Sequence, residues 1–371
     1  MAITLNECVG LGPSLIGAKL CLNMIVKNEA HCIERCLNSV KPFIQSWCIV
    51  DTGSTDGTQG VIRRVMGSIP GKLVESPWPS GEPFRFDKAR NHAWGEALEL
   101  GSHLLIIDAD EEYKPSPNGS LDPEPYVITI DVEHGKQILP RTFIVRADSP
   151  YRWSGRLHED LPAGLPRAHA VGHRILSHFD GARSKDPEKF RRDVAVLEEM
   201  LKESPDDPKN LYYLGVALRA GRDAHKAYGV FDRLASARPS TPEGWASRVE
   251  MAQIAHGVGD FDLALSGYLQ AMELRPNRAE VSGKLTALLN WHGMPRMAAS
   301  FGHIASSLPV PSDDRFLLDE AWYRWKAKHQ WAIALANLGQ RDKALDLLRE
   351  IEPLADEDQD TIRKDIAVLL G

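Results

Sequence analysis

Only five cysteines occur in the chain, and all of them (Cys8, Cys21, Cys32, Cys36 and Cys48) fall within the first 48 residues. Disulfide frameworks belong to small secreted domains with even cysteine counts, and structural zinc sites to two close cysteine pairs. Neither pattern is present. Cys32 and Cys36, four apart on an expected helix, read as small buried thiols in a reducing compartment. A long apolar run is also missing. Leu20 to Val26 is interrupted by Asn23 and followed by Lys27, Asn28 and Glu29. It is too short to cross a bilayer and lacks the order of a signal peptide, so a cytoplasmic location is expected. Positive charge is not in excess either: the net charge is −7, with 19 basic against 22 acidic residues up to Ser184 and 25 against 29 from Lys185 on. Extensive contact with a phosphate backbone needs clustered Lys and Arg, and the overall charge gives it no support. No Gly-x-Gly-x-x-Gly opens a helix after an apolar strand, which disfavours a nicotinamide enzyme.

What is present is the composition of an ordinary globular protein, 43% apolar and 26% charged, over 371 residues, a length that predicts two domains. The first part alternates two periods. Lys19–Val26, Trp47–Val50, Lys72–Glu75 and Leu104–Ile107 are apolar runs of buried-strand length. Between them Ile33, Cys36, Leu37, Val40 and Ile44 repeat at helical spacing, a helix is expected from Thr58, and Ala89, Ala93, Ala97 and Leu100 form another stripe. This alternation predicts a mostly parallel sheet covered by helices on both faces, with ligands collecting beyond the carboxyl ends of the strands. Tyr126–Val132, Thr142–Ala147, Tyr151–Leu161 and Arg174–Asp180 read as a smaller extension on the acceptor side. Pro115–Pro125, rich in Pro, Asn and Ser, reads as a loop over the site.

From about Asp186 the pattern becomes continuously helical. Leu214, Gly215, Ala227, Phe231 and Pro239 stand at the spacing of a tetratricopeptide repeat, and Ala264, Tyr268 and Pro276 repeat it 37 residues on. Leu285 with Ala298, and Ala344 with Leu348 after Trp331, continue it in degraded form. Such helix pairs bury their apolar faces only by stacking on their neighbours. The boundaries read as an α/β domain over 1–184 and an all-α repeat domain over 185–371.

Polar clusters follow three of the strands. Asp108-Ala-Asp110 at the end of Leu104–Ile107 places hard oxygen ligands near one point, which suits Mg²⁺ or Mn²⁺ bridging a diphosphate. An exposed acidic turn is the alternative, but Glu111 and Glu112 add negative charge where no structural need demands it. Asp51-Thr-Gly-Ser-Thr-Asp-Gly-Thr58 joins a strand to a helix, with glycines for close backbone approach and free N–H groups at the helix start. Ser54, Thr55 or Asp56 could each cap that helix. Asn28-Glu29 closes the first strand. Arg90-Asn91 lies on the helix before Asp108, where Arg90 suits a diphosphate or base contact; the alternative is a surface charge lying along Ala89 and Ala93.

Asn23-Met-Ile-Val-Lys-Asn-Glu29, Val50–Thr58, Ala89-Arg-Asn91 and Asp108-Ala-Asp-Glu111, in this order, resemble the family 2 glycosyltransferases of the GT-A fold. Trp153-Ser-Gly-Arg-Leu-His-Glu159 is similar to a Trp-x-Gly-x-x-His-Glu element of one branch, several members of which carry tetratricopeptide repeats. The resemblance covers about the first 180 residues. It implies transfer of a sugar from a nucleotide donor, commonly UDP-linked. By that analogy Asp51 reads the nucleobase, Asp108 the ribose, Asp110 holds the metal and Arg90 touches the donor, with Asn28 and Glu29 beside it. An inverting transfer needs a carboxylate to take the acceptor's proton; Glu159 is the first candidate and Asp160 the second. His158 or His178 could complete the metal shell.

The repeats favour a large acceptor: a peptide or protein, for which relatives that glycosylate bacteriocin-type peptides are a lead, or a saccharide. A modified nucleic-acid base would need a basic channel, to which Arg141, Arg146, Arg152, Arg156, Arg167 and Arg174 could contribute. A non-catalytic repeat scaffold on a degenerate transferase predicts loss of the metal carboxylates, and both are present. The repeats could equally mediate self-association into a homo-oligomer.

Overall fold

The computed structural model describes residues 19–116, 126–162, 164–355 and 358–371. Cys8 and most of the expected Pro115–Pro125 loop lie outside the described residues. The chain divides into two compact units, one of residues 1–135 with 139–189 and the other of 136–138 with 190–371.

The first unit is built on one sheet. Its strands are β1 Leu20–Val26, β2 Ser46–Asp51, β3 Gly71–Glu75, β4 His103–Ile106, β5 Glu111–Lys114, β6 Val127–His134, β7 Gln137–Arg146 and β8 Arg167–Ser177. They lie in the order β3-β2-β1-β4-β7-β6-β8-β5. The pairs β2–β3, β1–β2 and β1–β4 are parallel, β4–β7 is antiparallel, β6–β8 is parallel and β5–β8 antiparallel. Helices α1 Ile33–Val40, α2 Thr58–Met66 and α3 Phe86–Ala97 make the crossovers between the parallel strands. Both faces of β1 are covered. Leu22 and Met24 pack in one cluster with Ile33, Leu37 and Ile62, while Cys21 packs in another with Trp94, Ala97 and Leu104. A strand buried on both faces reads as a continuous apolar run, which is why LCLNMIV stands out in the sequence. Asn23, its one polar residue, is buried and donates to the Ala93 carbonyl of α3 at 2.7 Å.

This topology gathers the site. The carboxyl ends of β1, β2 and β4 leave the sheet at one edge, and β7, running opposite to β4, brings its amino-terminal half with Arg141 to the same edge. After Asp110 the chain returns as β5, whose Glu111 pairs in register with Ser177 at the end of β8. The residues following β8 are thereby delivered to the acidic turn.

The second unit contains α4 Lys189–Glu203, whose first residue belongs to the other unit, then the pairs α5 Pro208–Ala220 with α6 Ala224–Ala237, α7 Pro242–Gly257 with α8 Phe261–Leu274, α9 Ala279–Trp291 with α10 Pro295–Ser307, and α11 Ala327–Asn337 with α12 Arg341–Ile351. Helix α13 Gln359–Leu370 follows. Each helix from α5 to α12 packs on the next, and α5 also touches α7 and α9 touches α11, as a stacked array requires. Asp207, Asp223, Thr241 and Asp260 cap α5 to α8 by accepting a backbone N–H. Small residues set the close approach. A Cβ on Gly215 would stand 2.4 Å from the Phe231 ring, and one on Gly283 would stand 2.3 Å from Trp322. The degraded copies are full helix pairs: Leu285, Ala298, Ala344 and Leu348 are all buried. What blurs their spacing is the segment between α10 and α11, which ends in a π-helical turn over Trp322–Lys326.

Candidate active site

Asp51 ends β2 almost fully buried. Its Oδ1 accepts from the amides of Gly53 and Ser54, both at 2.7 Å, while its Oδ2 is buried with no hydrogen-bond partner among the described residues. A buried carboxylate oxygen without a donor costs free energy unless a ligand supplies one. The loop after Asp51 is pinned to the loop after β1. Asn28, at φ 59°, accepts from Thr55 N at 2.8 Å and donates its own amide to Ser54 Oγ at 2.8 Å. Glu29 N donates to Thr58 Oγ1 and Ala30 N to Asp56. The N-cap position of α2 is Gly57 in a left-handed conformation, and of the three expected caps it is Asp56 that serves the helix, its Oδ1 accepting the first helical amide, Thr58 N, at 3.1 Å. Ser54 Oγ is taken by Asn28 N, and Thr55 is engaged through its backbone amide.

Arg90 is buried, not a surface charge. It lies on α3 between two carboxylates, donating from Nε to Glu159 Oε1 and from Nη2 to Asp108 Oδ1, each at 2.6 Å. Its guanidinium also sits 5.6 Å from the Trp153 ring centre. The neighbouring Asn91 exchanges two hydrogen bonds with the Trp153 backbone, at 2.9 and 3.0 Å. The motif on α3 therefore holds the Trp153–Glu159 segment in place, and Gly155 at φ 107° and His158 at φ 50° let that segment turn. Arg141 completes the chain of charges, donating to Asp108 Oδ2 at 3.1 Å and to both oxygens of Glu111 at 2.7 and 2.5 Å. Burial disfavours the Arg90 charge, but Asp108 and Glu159 outweigh it and raise its pKa further. Burial likewise opposes ionisation of Asp108, and here Arg90 and Arg141 prevail, holding the carboxyl well below its ordinary value.

Asp110 is placed differently. Its carboxylate accepts only a 3.3 Å bond from Gly181 N among the described residues, and burial with the charge of Asp108 pushes its pKa up. A Cβ on Gly181 would stand 2.8 Å from that carboxylate, so the approach needs glycine. His178 comes to Asp110 through its backbone, N–H to the Asp110 carbonyl at 3.1 Å, whereas its ring lies 3.2 Å from Glu112. Glu29 accepts from Ala182 N at 3.2 Å, and its pKa is raised, by burial first. Asp160 is the more open of the two candidate bases: its side chain is 46% exposed against 11% for Glu159. Asp51, Asn28 and Glu29 thus line one side of the edge, Arg90, Asp108 and Glu159 form one hydrogen-bonded chain, and Asp110 and the backbone of His178 meet at the β8 end.

Three participants escaped the sequence reading. Arg141 was visible only as one of several arginines; Arg35 and Asp180 pair by two bonds of 2.9 and 2.8 Å across 145 residues. Nothing in the local pattern of either marks that pairing. Conversely, the arginines that could have formed a basic channel are engaged nearby: Arg146 with Asp148, Arg152 with the carbonyls of Ser149 and Tyr151, Arg167 with the Leu161 carbonyl, and Arg174 with Asp131 and Glu133.

The strand–loop arrangement with its buried acids agrees with a comparison of the sequence: residues 21–117 match the model of Glycosyl transferase family 2. The chain carries a family 2 glycosyltransferase domain. Proteins similar to this chain include a TPR repeat-containing protein of Synechococcus elongatus, 27% identical over 71% of this chain and 68% of the relative. The SPbeta prophage-derived glycosyltransferase SunS of Bacillus subtilis is 24% identical over 52% of this chain and 47% of its own. An uncharacterized glycosyltransferase of Rickettsia bellii is 36% identical over 26% and 30%. The chain spans about half the length of SunS and less than a third of the Rickettsia protein. Among solved structures, MamA is 15% identical over 47% of this chain and 91% of its own with a TM-score of 0.38, and TTC0263, a TPR protein of Thermus thermophilus, is 21% identical over 49% and 91% with a TM-score of 0.35. Likenesses that slight carry no argument, and the repeat architecture rests on the helix pairs themselves. No described helix is long and apolar enough to cross a membrane.

Proposed function

We propose that the chain transfers a sugar from a nucleotide-sugar donor, UDP-linked, to a large acceptor in the cytoplasm, with residues 1–184 carrying catalysis and residues 185–371 the acceptor or a second copy. The observation that carries the donor assignment is the unpartnered Oδ2 of buried Asp51, an acceptor waiting for an N–H such as the imide of uracil. In this reading Asn28 and Glu29 hold the loop that presents Asp51, and Asp108 takes the ribose hydroxyls. Arg90, already tied to Asp108, orients toward the diphosphate.

Asp110 fits a divalent cation: it is a buried carboxylate with one weak donor and a like charge beside it, the environment that a hard cation relieves. When bound, Mn²⁺ or Mg²⁺ neutralises the charge developing on the departing nucleoside diphosphate. His178 would have to give up Glu112 to join Asp110. The base is Glu159 or Asp160. Glu159 is held by Arg90 in a 2.6 Å pair, so that its oxygen Oε1 is already engaged. Asp160 is open and bound to Leu161 N at 2.8 Å, with Arg167 at 3.6 Å. A protein or peptide acceptor is favoured over a nucleic-acid base because the arginines that would form a basic channel are mostly paired.

Thermal unfolding of the full chain titrated with UDP, GDP, CDP and TDP, with and without Mn²⁺, tests this. Binding raises the melting temperature by mass action. UDP with Mn²⁺ should stabilise the wild type. Asp51→Asn, which presents an amide N–H to the base, should weaken UDP binding by about tenfold or more, since an unmatched buried polar pair costs roughly 1–3 kcal/mol. Asp110→Asn should remove the Mn²⁺ dependence. A nucleotide-independent melting temperature would count against the whole assignment and favour a degenerate scaffold.

A further inference from the structure

Three kinds of donor atom converge where β1 turns into α1. The Glu29 carboxylate, a ring nitrogen of His31 and the Cys32 thiol lie within 4.8 Å of one another. The backbone brings this about: the amides of Cys32 and Ile33 both donate to the Glu29 carbonyl, at 3.1 and 2.9 Å, folding Cys32 back beneath Glu29. The Cys32 thiol then donates to the Glu29 carboxylate at 3.2 Å. A contact outside the trio prepares the third donor. His31 Nε2 stands 2.5 Å from the Asp180 carbonyl oxygen, an atom that can only accept. Nε2 therefore donates, and in the neutral tautomer that this bond selects Nδ1 is the nitrogen free to ligate. Metal-binding histidines are held in this manner, one nitrogen on a carbonyl or carboxylate and the other on the ion. His31 is exposed, so its ring is not placed there by core packing. Arg35 is committed to the carboxylate of Asp180 and the carbonyl of Asp110, and among the described residues the Glu29 carboxylate accepts only from the Cys32 thiol and the Ala182 amide.

We infer that Glu29, His31 and Cys32 form a binding site for a borderline-soft divalent cation, Zn²⁺, beside the donor site and separate from the Asp108–Asp110 pair. Mg²⁺ and Mn²⁺ favour oxygen ligands, whereas Zn²⁺ takes thiolate, imidazole and carboxylate together at about 2.0–2.3 Å. Three protein ligands leave a fourth position open. On binding, the Cys32 S–H bond breaks, its proton passes to solvent, and the sulfur bonds to the metal. Glu29 exchanges the thiol's hydrogen bond for the ion. Because His31 and Glu29 also hold Asp180 and Ala182, the ion fastens the segment after β8 to the turn after β1. The inference does not depend on sugar transfer: it uses neither Asp108 nor Asp110, and of Glu29, whose backbone amide holds the donor loop, it uses the carboxylate.

Cobalt titration of the metal-free full chain tests it. A cobalt–thiolate site shows a sulfur-to-metal charge-transfer band in the near ultraviolet. The wild type should develop this band to one equivalent of Co²⁺ and lose it when Zn²⁺ is added. Zn²⁺ alone should raise the melting temperature. His31→Gln and Cys32→Ser should each remove the band and weaken Zn²⁺ binding by more than about tenfold; His31→Gln alters an exposed side chain and leaves the fold intact. Asp110→Asn should keep the band while losing the Mn²⁺ dependence of nucleotide binding. No band in the wild type, a band that survives either substitution, or a band lost in Asp110→Asn overturns the site.

Discussion

Each unit of this protein buries an arginine, and the two are used in opposite ways. Arg278, in the helical unit, is 0% exposed. It donates to both oxygens of Glu280 at 3.1 and 2.9 Å and to the carbonyls of Phe316 and Leu317, stands 3.2 Å from Asp314, and stacks 4.4 Å from the Trp245 ring. Glu280 in turn accepts from Tyr323 Oη and Asp319 N. The main carboxylate partner of Arg278, Glu280, is itself almost fully buried, and Asp314 at the rim is 21% exposed. Arg90 of the sheet unit is nearly as buried, but its partner Asp108 has a side chain that is 37% exposed. One end of its network faces water. A buried charge whose shell is complete fixes structure; one whose shell ends at the surface is available to a ligand. The same guanidinium chemistry serves both because its planar fork binds carboxylates on two sides.

The largest expected effect breaks the closed network. Arg278→Met removes the hydrogen-bonded cation of buried Glu280, leaving two neutral donors and the more distant Lys284 charge, and should cost roughly 3–5 kcal/mol, read as an earlier helical transition in circular dichroism. Adding Glu280→Gln should recover part of that loss. Arg90→Met breaks the open network and, on the proposed function, should lower turnover about a hundredfold, or ~3 kcal/mol, in a donor-hydrolysis assay while sparing the helical transition. If Arg90→Met merely destabilises the sheet unit and leaves the rate of the folded fraction unchanged, the two arginines are alike after all. Gly215→Ala, by pressing a methyl onto Phe231, should cost about 1–3 kcal/mol in the helical unit only.

The smallest effect is one of pH. His134, near Asp108 and Arg141, is held neutral: burial first and then the Arg141 charge lower its pKa from 6.5 to about 4. Between those two values the unfolded chain binds a proton that the folded unit refuses. Stability therefore falls as pH drops from 6.5 towards 4, by roughly 1–2 kcal/mol after screening, and changes no further from this group below that. His134→Gln should flatten that part of the acid unfolding curve.

Much of the fold was legible. The strands at Leu20–Val26, Ser46–Asp51, Gly71–Glu75 and His103–Ile106 fall within a residue or so of the apolar runs. The first, second and fourth are covered on both faces and have no polar side to blur them, whereas Gly71–Glu75 is a half-exposed edge strand marked only by Leu73 and Val74. The first two helix pairs were legible from small and aromatic residues at repeat spacing. The later pairs were harder to see, since their tight positions are filled from the intervening segment, as where Trp322 lies against Gly283. In the site, the acids at strand ends could be named individually. Their pairing could not: Arg90 meets Glu159 across 69 residues, and Arg35 meets Asp180 across 145. No local period encodes such contacts. Which of three candidates serves the start of α2 was hidden for the same reason: Ser54 is occupied by the loop of another strand, while Asp56 accepts from that loop and from the first amide of the helix.

By itself, then, the sequence determined the alternation of strand and helix, the change to helical repeats near Asp186, and which residues leave the sheet at its carboxyl edge. These follow from short-range periodicity, which survives whatever the chain does elsewhere. Tertiary structure decided which of those polar residues are neutralised and which are left wanting a partner. Asp108 is satisfied by Arg90 and Arg141, Asp51 keeps a bare buried oxygen, and Asp110 keeps an uncompensated charge. Charge compensation depends on distance in space and on burial, and neither is written in the spacing of residues along the chain.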